Sequence, residues 1–558
     1  MFRLTIRAGG LAAAIGLLSL GAAASSYAAT KPQTLTDLIR AGQRDAVLAA
    51  ITSPDIDVNA ADPDGSTPLL WATYNVDHEL VRALLKKGAK ANVTNQFGSS
   101  PLAEAVKLGD AELASLLIGA GADPDSPNQD GQTALMLASH VGSLPIAEML
   151  IKRGAKVSAV ENFRGQTALM WAAAENHPDV VDLLLKHHAD VKVRAKYDDW
   201  PRQMTSEPRA QFRQTGGLTA LLYATRSGCY RCAVAIVKAG ADVNQPNPDG
   251  ITPLINAIDA HSYDIAMFLL DQGANPSAWD MTGRTPVYVA IDMNSYNGAS
   301  GFGNGNFAGF GEALAPHPPS KATAMDVANR LLDMGVDPNH ELTRMRPNGN
   351  GRGRFADYMM RGGTTALMTA TLSYDTVAIK ALLAHHAEVD IRNVFEITPL
   401  MAAAGMSGSS RGGLGSAIVG GGGHHGDAQS RMIETIDLLL GAGANLNARV
   451  TGSHSHTAKM VAYIQGRDHE GQTALFAAAE GGWDKVVRHL TDRGADPAVH
   501  DAAGKLALDY ARSPPRIGPG PPPGREGPEE VASRAATVAL LESLSPTHRG
   551  SADTAQAK

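Results

Sequence analysis

Cysteine is almost absent from this sequence: Cys229 and Cys232 are its two members in 558 residues, so any thiol chemistry must come from that one C-x-x-C. Long apolar runs are missing too. Beyond the first 28 residues no stretch reaches the roughly 18 consecutive apolar residues that a membrane-spanning helix needs. Glycine and proline (58 and 31) make up about 16% of the chain, below the ~25–30% that marks a low-complexity sequence. The chain is therefore read as carrying a real core, with its glycine and proline concentrated locally.

The first 28 residues differ from the rest. They carry Arg3 and Arg7, no acid, an apolar Ala-rich run from Leu11 to Ala24, and then Ser26-Tyr27-Ala28. A basic start, an apolar centre and a small-x-small end form the pattern of a secretory signal of bacterial type, with cleavage expected after Ala28. An organellar transit peptide is the alternative for an acid-free leader. No cysteine follows the cleavage position, which argues against a lipid anchor. The mature chain is expected to be periplasmic or secreted.

The stretch from Asn128 to Val160 shows the unit from which the remainder is built. Asp130-Gly131 is a polar turn, Thr133 stands where a helix N-cap belongs, and Ala134 to Ala138 reads as a short apolar helix. Pro145 then sits in a first turn, and Ile146, Met149 and Leu150 make one apolar stripe. Gly154 closes the second helix, and Ala155-Lys156-Val157 starts an extended finger.

The turn glycine recurs at Gly65, Gly98, Gly131, Gly165, Gly217, Gly250, Gly283, Gly363, Gly471 and Gly504, most uninterrupted steps being 33 residues. With it recur Thr67-Pro68-Leu69, Thr133-Ala134-Leu135, Thr252-Pro253-Leu254, Thr398-Pro399-Leu400 and Thr473-Ala474-Leu475, and the ending Gly240-Ala241-Asp242-Val243-Asn244. In period and signature the chain resembles the ankyrin repeats. The resemblance implies an all-α repeat solenoid, an ankyrin-repeat stack of about twelve helix-turn-helix-finger units with loop inserts. It covers residues 35–544; 545–558 read as a polar, disordered tail. The family's signature histidine is replaced by Leu70, Met136, Met170, Leu222, Ile255, Met368, Met401 and Phe476, so packing is expected to replace its polar bridge.

Leu35 to Asn59 reads as an atypical first repeat, and repeats run uninterrupted over 35–193. Inserts at 194–215, 343–361 and 450–467 fall between repeats, at the fingers. Those at 295–321, 408–430 and 514–530 fall between the two helices of one repeat. In the family's geometry these are opposite edges of the stack.

No catalytic constellation emerges. Gly408-Ser409-Ser410-Arg411-Gly412 has nucleophile-elbow spacing without the strand–helix turn the motif requires, and Gly415 to Gly420 lacks the Lys-Ser/Thr of a phosphate loop. Cys229-Tyr230-Arg231-Cys232 opens a second helix; a local disulfide is favoured over small buried thiols and over a redox dithiol, which lacks a thioredoxin-like context. His424-His425 with Asp427, and His454 with His456, fall on opposite edges, so no metal site and no cofactor are expected. His188 and His386 replace the helix-closing glycine and suit the left-handed conformation.

Trp71, Trp171 and Tyr223 share one helix position and are expected in the core. Phe97, Phe163 and Phe395 stand at finger turns, where an aromatic side chain reads as a partner anchor. Charge supplies the rest. The finger-side insert 343–361 holds Arg344, Arg346, Arg352, Arg354 and Arg361 against one acid, and insert 194–215 mixes five basic residues with Tyr197, Trp200 and Phe212. The whole chain holds 49 basic and 56 acidic residues, so these inserts run against an acidic body.

The expected function is a non-catalytic protein-protein interaction scaffold, monomeric, gripping an acidic or envelope-associated protein rather than nucleic acid. Trp200, Arg344, Arg346, Arg352 and Arg354 join the three phenylalanines as candidate contacts. The alternatives are an accessory redox or metal-binding module using Cys229/Cys232 or the loop histidines, and a secreted effector. Sequencing the N-terminus of protein recovered from cell fractions should find Ala29 first, outside the cytosol; an intact Met1 in the cytosol would refute export.

Overall fold

The computed structural model describes residues 34–197, 216–299, 320–343, 362–406, 425–452, 469–513 and 528–544. Within them 24 helices form twelve successive pairs. The first six pairs are Leu35–Arg40 with Arg44–Ile51, Pro68–Tyr74 with His78–Lys86, Pro101–Lys107 with Ala111–Gly119, Ala134–Val141 with Leu144–Lys152, Ala168–Ala174 with Pro178–Lys186, and Ala220–Ser227 with Tyr230–Lys238. The remaining six are Pro253–Asp259 with Tyr263–Asp271, Pro286–Ala299 with Ala324–Asp333, Ala366–Leu372 with Thr376–Ala384, Pro399–Ala403 with His425–Gly441, Ala474–Gly481 with Asp484–Asp492, and Ala507–Arg512 with Pro528–Leu544. These pairs are repeats 1 to 12. Extended pairing among the described residues is confined to isolated bridges, Arg194 with Thr219, Tyr197 with Gly216 and His500 with Leu506.

Every first helix but that of repeat 12 begins at a hydroxyl. Thr67, Ser100, Thr133, Thr167, Thr219, Thr252, Thr365 and Thr398 accept the N–H three residues on, which satisfies one of the donors that a helix start leaves orphaned. Repeat 1 lacks the turn glycine but keeps this cap, with Thr34 and Asp37 bonded reciprocally. In repeat 12 Leu506 stands at the cap, and Asp509 accepts its N–H instead.

The apolar stripe behind each cap feeds one continuous cluster that runs from Leu35 to Leu541. First helices lie closer to one another along the stack than second helices do, so the stack curves toward the first helices and the fingers beside them. That inner side is the concave face.

Two hydrogen-bond ladders tie one repeat to the next. At the finger turns a backbone N–H reaches the carbonyl of the preceding finger: Gln96 to Asp64, Asn162 to Asp130, Lys196 to Arg164, Met281 to Asp249, Thr343 to Thr282, Val394 to Gly362 and Ala502 to Glu470, at 2.7–3.0 Å. Gly131 shows why the turn is glycine: its φ is +82°, and a Cβ there would meet the Asn162 backbone nitrogen at 3.0 Å. Where the rung is missing, a side chain spans the gap. Pro248 has no N–H to give, and Arg194 donates to the Pro246 carbonyl at 2.7 Å.

The second ladder uses the asparagine that ends a repeat. Asn92 donates to the Gly121 carbonyl at 2.9 Å and accepts the Asp123 N–H at 2.7 Å. Asn59, Asn244, Asn339 and Asn447 make the same pair of bonds to the repeat that follows each.

The insert flanks are built into the stack, and the helices reach further than their sequence boundaries. The first helix of repeat 8 continues to Ala299, past residue 295. Ser295 is buried, and with Asn294 it donates to Asp375 at the start of the second helix of repeat 9. On the return, Asp264 of repeat 7 accepts the N–H groups of Lys321 and Ala322, both at 2.9 Å. Burial works to raise the Asp264 carboxyl, but those N–H donors and the Ser320 hydroxyl outweigh it and hold the group below its ordinary range. The second helix of repeat 10 begins at His425 within the expected insert, and its Gln429 accepts the Lys485 and Val486 N–H groups of repeat 11.

The expected loss of a polar bridge at the signature-histidine position has an exception in repeat 8, where that position is Tyr288. Its ring is buried, and its hydroxyl accepts a hydrogen bond from Thr369 of repeat 9 at 3.0 Å. His188 and His386 do close their helices in the left-handed conformation, with φ of +61° and +65°. Cys229 and Cys232 are joined in a disulfide at the start of the second helix of repeat 6, both buried.

One buried ion cluster joins repeats 7 and 8. Arg284, at the finger base of repeat 8, reaches Asp280 of its own turn at 2.7 Å and both oxygens of Asp259, which ends the first helix of repeat 7, at 2.9 and 3.0 Å. Burial disfavours its charge, but the two carboxylates overcome that and hold the guanidinium protonated. Arg284→Ala leaves Asp280 buried and uncompensated, a loss of about 3–5 kcal/mol in chemical unfolding; a loss below about 1 kcal/mol would show the cluster to be dispensable. By contrast, the Cys229–Cys232 bridge closes so short a loop that its entropic contribution is at most ~2 kcal/mol. Replacing both with Ala should leave unfolding cooperative, and collapse of the fold would refute that.

Candidate partner-binding surface

Seven of the finger turns are shaped from within by a carboxylate or amide at the base. Asn95 Oδ1 accepts the Phe97 and Ser99 N–H groups at 3.0 and 2.9 Å, and Asn128, Asn247, Asp280, Asn393 and Asp501 hold their turns in the same way. Glu161 does it with a longer side chain for a turn one residue longer, accepting from Phe163, Arg164 and Gln166. Side chains at the turn apex are thereby pushed out of the stack. Phe97 is 67% exposed and Phe163 70%, the latter with the Arg164 guanidinium 5.7 Å from its ring centre.

Phe395 departs from the expectation. Its ring is partly buried and packed against the core cluster, although Glu396 after it takes the same left-handed conformation (φ +61°) as Gly98 after the exposed Phe97 (φ +74°). It is thus a packing residue more than an anchor. Trp200, Arg344, Arg346, Arg352 and Arg354 lie outside the described residues, as do His424, His454 and His456. Of the basic residues expected at the finger edge, Arg194 and Lys196 are used as struts: Arg194 holds Pro246, and Lys196 donates from its side chain to the Asn162 carbonyl.

Trp71, Trp171 and Tyr223 also depart in part. Tyr223 is buried, but the two indoles are only half-buried, lying along the groove between the first helices and the fingers. An indole N–H needs a partner, and the finger bases supply one. Trp71 Nε1 donates to Asp62 at 3.0 Å and Trp171 Nε1 to Gln166 at 3.1 Å, while the amide of Gln166 donates on to the Tyr223 hydroxyl at 2.6 Å. The open ring faces carry cations or an imidazole: the Arg40 guanidinium 5.2 Å from the Trp71 ring centre, Arg226 5.1 Å from Tyr223, and His140 edge-on to Trp171 at 5.3 Å.

Sequence reasoning missed two exposed residues further along this edge. Trp279 is 62% exposed and stacks on His340 of the next finger, with ring centres 5.7 Å apart; Met281 beside it is 42% exposed. Both lie two residues or fewer from the turn glycine Gly283 or the base Asp280, so a count of large apolar side chains around every turn would have found them. Among the described residues no group of three or more His, Cys, Asp or Glu side chains could hold a metal ion, and no helix is long and apolar enough to cross a membrane.

Comparison with known proteins agrees with this geometry. The chain is 38% identical over 91 residues to Zygote-specific protein 3 of Chlamydomonas reinhardtii, an alignment covering 16% of this chain and 24% of that protein. It is 27% identical over 154 residues to the Ankyrin repeat and KH domain-containing protein mask-1 of Caenorhabditis elegans, covering 25% and 5%. The chain thus spans a quarter or less of either relative. The family model for ankyrin repeats (3 copies) matches residues 27–128, 102–195 and 221–301, and that for the single ankyrin repeat matches 470–502. Together these matches take in just over half of the chain, and with every described helix falling into the paired, fingered unit, the chain belongs to the ankyrin-repeat proteins.

Proposed function

We propose that this protein is a non-catalytic scaffold of an exported compartment that binds an acidic protein partner through its finger turns and concave face. Ankyrin repeats imply protein-protein interaction in general; the compartment, the partner's charge and the contact residues are the proposal. The observation that carries it is the pair of finger-turn phenylalanines. Phe97 and Phe163 are each at least two-thirds exposed at turns whose geometry is already satisfied by Asn95 and Glu161, so burying them against a partner is a gain available only on binding.

Export is supported by the order of basic, apolar and small residues in 1–28, and the Cys229–Cys232 disulfide suits an oxidising compartment. The redox alternative is disfavoured by access. With Cys229 and Cys232 at 2% and 0% exposure, neither sulfur is open to attack by a substrate thiol.

Because Arg194 and Lys196 are engaged within the stack, the steering charge of the finger edge is assigned to Arg344, Arg346, Arg352 and Arg354. Cross-linking in the native compartment captures the partner. Replacing the four arginines with Ser should then slow its association about tenfold at low salt and flatten the salt dependence, with thermal stability unchanged. Unaltered association kinetics, or a large loss of stability, would show these arginines to be structural.

A further inference from the structure

The outer edge of the stack, where each second helix ends and the chain turns into a finger, carries charge that no contact above absorbs. The seven residues from the last helical position onward lie in one row, because the second ladder fixes each repeat against the next. Asn59 accepts the N–H of Lys90, Asp125 that of Lys156, Asn339 that of Glu388 and Asn447 that of Asp496. In repeats 2 to 6 this stretch (86–92, 119–125, 152–158, 186–192 and 238–244) holds nine Lys or Arg and four Asp. In repeats 7 to 11 (271–277, 333–339, 384–390, 441–447 and 492–498) it holds one Arg and seven Asp or Glu. A single edge thus passes from +5 in one half to −6 in the other.

The cations are unmatched within the chain. Lys86 and Lys90 of repeat 2, Lys152 and Lys156 of repeat 4, and Lys186 and Lys192 of repeat 5 are exposed, and none has an ion pair or a side-chain hydrogen bond to another described residue. Lysine at a helix end has a local reason, since it meets the negative end of the helix dipole; aspartate there has the opposite. Asp271, Asp333 and Asp492 nevertheless end the second helices of repeats 7, 8 and 11. Arg330 and His385 of the following repeats stand 3.2 Å from the first two, whose side chains stay mostly exposed. Among the described residues Glu388 and Asp492 have no side-chain partner, and Asp337 and Asp496 each use one oxygen on an N–H of their own turn.

We propose that this edge pairs with the same edge of a second copy of the chain, antiparallel, in a salt-sensitive two-fold dimer. The reading departs from the monomer expected from the sequence and does not depend on the partner proposed for the fingers and concave face. A two-fold axis at the junction of repeats 6 and 7 sets repeat 2 against 11, 3 against 10, 4 against 9, 5 against 8 and 6 against 7. Lys86 and Lys90 then face Asp492 and Asp496, Lys152 and Lys156 face Glu388 and Asp390, and Lys186 and Lys192 face Asp333 and Asp337. Repeat 3, acidic within the basic half through Asp123 and Asp125, meets repeat 10, whose stretch holds Asn445 and Asn447 and no charge. A parallel pairing would set lysine on lysine, and a partner of one sign long enough to follow the edge would be repelled by half of it. Exposed charge pairs are weak singly, so their complementarity along the whole edge fixes the register while leaving the dimer labile to salt.

The test is sedimentation velocity on the full chain. It should run as a dimer at ~50 mM salt and as a monomer at ~500 mM, because a tenfold rise in salt shortens the screening length about threefold. Lys86→Glu with Lys152→Glu sets acid against acid at those contacts, and Glu388→Lys with Asp492→Lys sets base against base; each double variant should weaken dimerisation at least tenfold. Mixing the two variants should restore a one-to-one dimer, and a chain carrying all four changes should dimerise like the parent, results that damage to the fold would not give. A parent chain that is monomeric at low salt, a dimer indifferent to salt, reversal variants that dimerise like the parent, or a mixture that does not recover would each overturn the pairing. Open oligomers larger than two would overturn the two-fold register. A monomer that binds vesicles of anionic lipid through Lys86 and Lys152 would give the basic edge to a membrane surface and overturn the dimer as well.

Discussion

The asparagine that closes a repeat is the constraint on which the stack depends. Its side-chain amide is at once donor and acceptor, and Asn59, Asn92, Asn244, Asn339 and Asn447 spend both functions on the next repeat, on a carbonyl where its second helix ends and on an N–H two residues later. A hydrophobic stripe alone would let neighbouring helix pairs slide. Two directional bonds per junction set the rotation and rise, and everything that must align across repeats follows from them. Where another residue takes the place, part of the clamp survives: Asp125 and Ser158 each still accept one N–H from the following repeat.

Given that alignment, the concave face becomes a surface with positions. The fourth residue after each cap takes the same place on its first helix in every repeat, so aromatic, acidic and aliphatic choices there write relief along the stack. Trp71, Trp171 and Tyr223 put rings there and Leu137 an aliphatic side chain, although all four belong to helices of the same design. The surface is therefore variable where the scaffold is not, which is how one fold can serve unrelated partners.

The fold was legible because its signals are local. A hydroxyl before an apolar run, a glycine after one and a period near 33 residues are each read within a single unit, and twelve such units reinforce one another. Signals at the surface are local only in part. Phe97 and Phe163 could be placed by their turns, but whether a turn phenylalanine faces water depends on what packs around it, and Phe395 leans on the core although its turn has the same left-handed backbone as that of Phe97. The Arg284 cluster was hidden because Asp259 lies 25 residues away and in the previous unit. The turn between paired helices was hidden for another reason: besides glycine it holds Val76, Asn176, His261 and Tyr374, all at positive φ, so no single residue type marks it. The insert boundaries slipped because Ser295 and Gln429 look like loop residues, and their reason for being helical, a bond to a neighbouring repeat, is not written beside them.

The ladders also determine how the molecule would carry a load. A pull along the stack places the junctions in series, so each bears the whole force and the weakest yields first; nothing shares the strain in parallel as it would in a closed barrel. A junction that gives way frees one unit of about 33 residues, a contour gain of ~110 Å at ~3.4 Å per residue. The stack is then a chain of fuses of unequal rating. The junction between repeats 7 and 8, held by the Arg284 cluster in addition to the rung from Met281 to Asp249, should be among the last to open, and it would divide a stretched molecule into two arms that stay coupled after their outer repeats have peeled away.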